Sequence, residues 1–179
     1  NYNQNDFIIT YTGRINNDKV IKTIIESMKY ISNSNVRLFI IGQIEKRGGY
    51  EATFKKMIDK DPRIVHIPMQ EDVKPFLAIT SVYVHPSLRE GLSNSIMEAC
   101  SMELPCVVSS IPGNLELIKH GQTGLVADTS NPKSFAVHLE ILINDENLRK
   151  KIGQNARKNI LRKYDQRTVW NNLKALYYE

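Results

Sequence analysis

The chain has 179 residues, enough for one domain with a normal core, and its 41% hydrophobic and 24% charged residues are those of a soluble globular protein. No apolar run approaches the ~18 residues of a membrane-spanning helix, and Cys100 and Cys106 are too few for a disulfide scaffold or a four-ligand zinc site, so reduced core thiols and a cytoplasmic location are expected. A net charge of +5 and a pI near 9.1 raise anionic partners, but the basic run at Arg149, Lys150, Lys151, Arg157, Lys158, Arg162, Lys163 and Arg167 has no aromatic residues interleaved as a recognisable stacking platform, so nucleic acid is disfavoured.

The opening Asn1-Tyr2-Asn3-Gln4 lacks a methionine and enters a strand almost at once, the start expected of an excised domain. Phe7-Ile8-Ile9-Thr10-Tyr11 predicts that strand, and Lys19 to Tyr30 a helix with Ile21, Ile24, Ile25 and Met28 on one face. Val36 to Ile41 predicts a strand, Tyr50 to Lys60 a helix, Arg63 to Ile67 a strand and Asp72 to Ile79 a short helix. Strand Val82 to His85, helix Asn94 to Met102, strand Pro105 to Ser109 and short helix Leu115 to Lys119 come next. Strand Gly124 to Ala127 and helix Lys133 to Ile143 precede two final helices, Glu146 to Arg162 and Arg167 to Tyr178. Apolar strands alternating with helices predict an α/β domain, a doubly wound, Rossmann-like parallel sheet covered on both faces. Such sheets bind ligands beyond the carboxyl ends of their strands, where Thr12-Gly13-Arg14, Gly42-Gln43 and His85 to Glu90 fall. The basic run lies on the last helices; it reads as a solvated face, with an anionic membrane surface or an acidic companion domain as the other partners of such a charge. Trp170, Leu173, Leu176 and Tyr177 make an apolar stripe on the final helix, either ordinary core or a surface for a further segment.

The residues between Glu90 and Glu98 carry the chemistry. They join an apolar strand to a helix and set a carboxylate on either side of the turn, with Gly91 and the small polar Ser93, Asn94 and Ser95 between them. Backbone N–H groups at such a turn face an anion, which suits a hydroxyl-rich ligand carrying phosphate. Ser95-Ile96-Met97-Glu98 also fits a capping box, with the serine capping the helix and Glu98 reaching back to its N–H. Glu90 caps no evident helix, and its alternative is a surface salt bridge. Gly13 allows close backbone approach, while Arg14 offers a planar fork and Lys19 a point charge, together suited to a diphosphate or equally to a solvated turn. Asp59-Lys60-Asp61 resembles a metal-binding pair but precedes its strand, at the wrong end of the sheet. His85 lies at a strand end beside the candidate site, whereas His66, His120 and His138 read as structural, and no histidine cluster has metal-ligand spacing.

With these motifs in view, Glu90 to Glu98 resembles the E-x7-E element of retaining GT-B glycosyltransferases of family 4. Pro86-Ser87, Glu98-Ala99, Pro105 to Val108, Glu116, Gly121 and Gly124-Leu125 fall in that family's order, and Gly13-Arg14-Ile15 with Lys19 is similar to its Gly-Arg-Leu…Lys signature. The resemblance covers roughly Phe7 to Tyr177 and implies the C-terminal, donor-binding half of a two-domain enzyme whose N-terminal acceptor half is absent, a half inactive by itself. It implies transfer from a nucleoside diphosphate sugar with retention of configuration and without an essential metal, in bacterial polysaccharide or glycoconjugate biosynthesis. By position, Arg14 and Lys19 would neutralise the leaving diphosphate, and the N–H groups of Leu92, Ser93, Asn94 and Ser95 would hold phosphate and sugar. Glu98 would bind ribose, Glu90 the donor sugar, and Ile67-Pro68-Met69 would flank the base. A membrane-peripheral position at the inner face would follow if the basic helices met lipid. Three positions depart from the pattern: Val20, Ile44 and Ser93 stand where the family often has glycine. A non-catalytic nucleotide-sugar-binding or interaction module remains the alternative, and an epimerase or hydrolase of the same architecture is disfavoured by the two spaced glutamates.

Overall fold

Six parallel strands make the sheet: β1 (Phe7–Thr12), β2 (Val36–Ile41), β3 (Ile64–Ile67), β4 (Val82–His85), β5 (Cys106–Ser109) and β6 (Leu125–Ala127). The computed structural model describes residues 3, 5–45 and 50–178; Asn1, Tyr2 and Gln4 of the opening lie outside them. The strand order is β3-β2-β1-β4-β5-β6, every neighbouring pair parallel. The chain thus builds outward from β1 to β3, then returns to lay β4 against the other side of β1. At that reversal the connections after β1 and β4 leave in opposite directions and open a crevice beyond the strand ends.

Parallel strands need crossovers, and helices supply them. These are α1 (Ile21–Ser27), α2 (Tyr50–Ile58), α3 (Lys74–Ala78), α4 (Asn94–Ser101), α5 (Pro112–Leu117) and α6 (Pro132–Asn144), followed by α7 (Glu146–Tyr164) and α8 (Gln166–Tyr178). Side chains alternate across the sheet with period two. Ile9, Tyr11, Leu38, Ile40, Val82, Val84 and Val107 face one way, under Ile21, Ile24, Phe54, Phe135 and Leu139 of α1, α2 and α6. Tyr83, Cys106 and Val108 face the other, under Leu77, Ile96, Cys100, Leu117, Ala156 and Ile160. Cys100 and Cys106 are buried free thiols 3.6 Å apart between α4 and β5. No helix among the described residues is long and apolar enough to cross a membrane.

Three elements differ from the sequence expectation. The helix expected over Lys19 to Tyr30 is divided into a 3-10 turn at Asn17–Lys19, then α1, then a second 3-10 turn at Met28–Tyr30. The break is Val20, whose φ of 46° and ψ of 39° are left-handed; it stands where the resembled family often has glycine, the residue that adopts this conformation without a Cβ penalty. Helix α5 starts at Pro112 rather than Leu115, because proline's fixed φ suits a first helical position, and it ends at Leu117 because Ile118 is extended. The apolar stripe of α8 is uncovered, with Trp170 at 55%, Leu176 at 75% and Tyr177 at 83% exposure, which overturns ordinary core as its role within this chain.

A left-handed β-branched residue costs about 1–2 kcal/mol, of which glycine's larger unfolded-state freedom returns ~0.5–1. Val20→Gly is therefore expected to raise Tm by a few degrees in thermal unfolding, and an unchanged or lower Tm would show that Val20 carries no strain.

Candidate active site

The loops after β1 and β2 are fastened together before any side chain enters the site. Gly42 has φ 151°, and a Cβ there would lie 1.9 Å from the Gly13 carbonyl oxygen, so only glycine fits. Gly13 N–H donates to Ile41 O at 3.0 Å, Ile15 N–H to Gln43 O at 2.9 Å and Glu45 N–H to Ile15 O at 2.9 Å. Ile44, another departure from the glycine pattern, continues this pairing through a parallel bridge with Ile15 and packs on the core. The Tyr11 hydroxyl donates to Arg14 O at 2.7 Å, which fixes the backbone that carries Arg14.

The loop after β4 is held by a buried polar cluster. Ser87 N–H donates to Ser109 Oγ at 3.0 Å, Ser109 Oγ–H to Ser87 O at 2.6 Å, and Asn114 Nδ2 to Ser109 O and Oγ at 3.1 and 2.8 Å. Ser87 Oγ then donates to Arg89 O at 3.0 Å. Helix α5 closes on the same loop: a Cβ on Gly113 would lie 1.9 Å from Gly91 O and 2.4 Å from Glu90 O. Leu88 N–H donates to Asp18 O at 2.9 Å and ties this loop to the turn that carries Lys19.

Glu90 is consequently held in place, and one of its oxygens, Oε1, meets two partners. Lys19 Nζ forms an ion pair with it, and His85 Nε2 lies 2.8 Å away. His85 is buried and near-parallel to the rings of Tyr11 and Tyr83, with centroids 6.0 and 6.3 Å away. Burial, then the nearby Lys19 ammonium, push its pKa down to about 3. The Glu90 carboxylate would favour an imidazolium, but Lys19 already supplies the positive charge. His85 is thus neutral and donates from Nε2, which leaves Nδ1 as a buried acceptor without a partner among the described residues. Burial and then the Arg14 charge lower the pKa of Lys19, against the opposing pull of Asp18.

Helix α4 is capped by Ser93, which is extended and whose side chain accepts from none of the first-turn N–H groups; its Oγ lies 3.0 Å from Ser95 Oγ instead. The expected Ser95–Glu98 capping box does not form. With Ser93 as the cap, Glu98 is the fifth helical residue, too far along to reach back to the cap N–H. Its carboxylate has no hydrogen bond or ion pair among the described residues, and burial raises its pKa against the pull of Lys74.

These parts surround one cavity of about 440 Å³ beyond the ends of β1, β2 and β4. Gly13, Arg14, Lys19, Glu90, Leu92, Ser93, Asn94, Ser95, Glu98 and Met69 of the sequence-derived set line it, as do His85, Thr12, Gly42 and Gln43 at the strand ends. Pro68 and Gly91 do not, Gly91 being turned against Gly113. Gln70 and Val73 line the cavity from the loop before α3, where no motif marks them. Asp61 instead pairs with Arg63 at 2.7 Å, away from the cavity. His66 Nε2 lies 3.0 Å from Gly42 O, His120 Nδ1 accepts from Val126 N–H at 3.0 Å, and His138 packs edge-on against His120. No group of three or more His, Cys, Asp or Glu among the described residues could hold a metal ion.

The family described as "Glycosyl transferases group 1" matches residues 1–159. The capsular polysaccharide biosynthesis glycosyltransferase CapM of Staphylococcus aureus is 33% identical over 174 residues, 96% of this chain and 46% of its own length. Many solved structures share the fold, among them the two that follow. The Anabaena protein HepE in complex with UDP superposes with a TM-score of 0.91 at 19% identity, over 97% of this chain and 49% of HepE. The C-terminal domain of the Francisella tularensis group 1 glycosyl transferase LpcC gives a TM-score of 0.81 at 21% identity, over 89% of this chain and 87% of that domain. This chain spans about half the length of the relatives it matches, apart from that isolated domain. The 179 residues belong to the glycosyl transferases group 1.

Proposed function

We propose that this chain is the C-terminal, nucleotide-sugar-binding half of a retaining GT-B glycosyltransferase of family 4 type, working without an essential metal in bacterial polysaccharide or glycoconjugate biosynthesis. The observation that carries this reading is the convergence of Arg14, Lys19, Glu90, Glu98 and the open N-terminus of α4 on one cavity. CapM, a relative that is by name a capsular polysaccharide glycosyltransferase, supports the pathway class. HepE, solved with UDP, supports the nucleotide.

The chemistry follows from charge. Glycosyl transfer develops negative charge on the departing diphosphate, and Arg14, Lys19 and the first-turn N–H groups of α4 stabilise it from fixed positions. These groups fill the charge-neutralising role that a divalent metal fills elsewhere. Glu98, without a protein partner, accepts from ribose hydroxyls, and Glu90 accepts from hydroxyls of the donor sugar. A diphosphate beside Arg14 draws Lys19 partly off Glu90 and leaves that carboxylate to the sugar, with His85 still holding it. The base lies along Met69, Gln70 and Gln43. An N-terminal half of the same protein supplies the acceptor side of the cleft, so the chain alone binds donor but transfers little. The uncovered stripe of α8 is available to that half.

Calorimetry should give metal-independent, chelator-insensitive binding of a nucleoside diphosphate, weakened about tenfold or more by Lys19→Ala or Arg14→Ala, since contacts to charged groups carry ~1.5–3 kcal/mol. Equal affinity in both variants would remove the phosphate assignment.

In the intact protein Glu90→Gln should lower kcat by roughly 10²–10³, the range for loss of one transition-state contact, an effect far larger than its loss of stability. A full rate would return Glu90 to a structural role, and binding without any transfer by the parent protein would favour the non-catalytic module.

The depressed His85 pKa has a definite sign in stability. Below about pH 6.5 the unfolded chain protonates this histidine while the native chain does not until about pH 3, so stability is lost as pH falls. The loss between pH 7 and 5 is ~2 kcal/mol from this group. Urea unfolding at the two pH values should show it in the parent, and less of it in His85→Gln, which keeps a donor to Glu90 but does not titrate; equal losses would mean that His85 is not held neutral.

A further inference from the structure

A second hollow, of about 340 Å³, lies between α7 and the turn joining α5 to β6. That turn precedes β6, so the hollow is at the amino ends of the strands, and it shares no residue with the first cavity. Asn155, Lys158, Asn159 and Arg162 line it from one face of α7, at the i, i+3, i+4 and i+7 positions. Lys119, Gln122 and Thr123 complete the wall, which thus holds three cations and no carboxylate.

The lining is fastened in advance. Asn159, about nine-tenths buried, donates to Leu117 O at 3.3 Å and accepts from the Arg162 guanidinium at 3.3 Å, which orients that fork at the rim. Asn155 donates to Gln122 O at 3.2 Å, and Lys119 N–H donates to Thr123 Oγ1 at 2.9 Å. Among the described residues, Lys119, Lys158 and Arg162 have no ion pair. Glu116, whose pKa is lowered mainly by Lys163 and Tyr164 and less by Lys119, is taken by Lys163 at 3.3 Å and the Tyr164 hydroxyl at 3.1 Å. Three like charges around one hollow repel each other, and an anion that takes all three relieves this. A tetrahedral phosphate suits a guanidinium fork flanked by two ammonium groups, and the hold of Asn159 on the Arg162 fork lowers the ordering cost of that contact.

We propose that Lys119, Lys158 and Arg162 form a second anion site, for a phosphate group, on the face of the domain away from the candidate active site. Two sources carry such a group: a free phosphate compound and a phospholipid headgroup.

Inorganic phosphate titrated into the 15N-labelled protein tests the site. The amide signals of Gln122 and Thr123 should shift saturably, with affinity at least tenfold weaker in the double variant Lys158→Gln/Arg162→Gln and unaltered in Lys19→Ala, whose losses fall on Gly13 and Ser93. Both double-variant positions are exposed, and an unchanged amide spectrum elsewhere confirms its fold. No saturable shift at Gln122 and Thr123, or the same affinity in the double variant, overturns the proposal. Co-sedimentation with phosphatidylglycerol vesicles, against phosphatidylcholine, then identifies the source. Capture that is lost in the double variant and competed by inorganic phosphate assigns the headgroup; no capture, or capture that survives the double variant, assigns a free phosphate compound.

Discussion

The shared oxygen of Glu90 is the point on which the cavity turns. One carboxylate takes a neutral imidazole from the end of β4 and an ammonium from the turn after β1, and so joins the two loops that diverge at the strand reversal. Each partner depends on the other. Burial, then the Lys19 ammonium, keeps His85 neutral beside a carboxylate, and His85 gives Glu90 Oε1 a second partner. A partly buried carboxylate with only one of these partners would be less well compensated for its lost hydration. The surrounding structure serves this meeting: Tyr11 and Tyr83 pack the imidazole in place, Ser87, Ser109 and Asn114 hold the loop, and Gly113 lets α5 close behind it.

The sheet and most of its helices were legible because their signals are local. Runs such as Val36 to Ile41 are apolar throughout, as strands buried on both faces must be, and Ile21, Ile24, Ile25 and Met28 repeat at helical spacing. The main cavity residues were also legible, because glycine, charge and small polar side chains gather just after strands. What was not legible is tertiary. Asn114 and Ser109 act on a loop more than 20 residues earlier, and nothing near them in sequence marks the contact. Gln70 and Val73 reach the cavity only because the loop before α3 bends over the end of β2. The Ser-x-x-Glu spacing at Ser95 and Glu98 satisfied a capping rule, yet the extended backbone of Ser93 starts the helix two residues earlier and changes the meaning of both.

Val20, Ile44 and Ser93, the positions that depart from the glycine pattern, shape their loops in different ways. Ile44 makes a β-bridge and a core contact. Val20 adopts the left-handed turn that follows Lys19 and accepts the local cost. Ser93 supplies a hydroxyl at the rim without using it to cap α4, so its side chain leaves untaken the backbone N–H groups of a first turn that lines the cavity.

The uncovered stripe of α8 has an optical consequence. Trp170 is the only tryptophan of the chain, and it stands on that stripe, half exposed and away from the cavity. Intrinsic tryptophan emission therefore monitors what lies against α8: a blue shift would report a neighbour settling on the helix, while small molecules entering the glutamate-lined cleft would leave the spectrum largely silent.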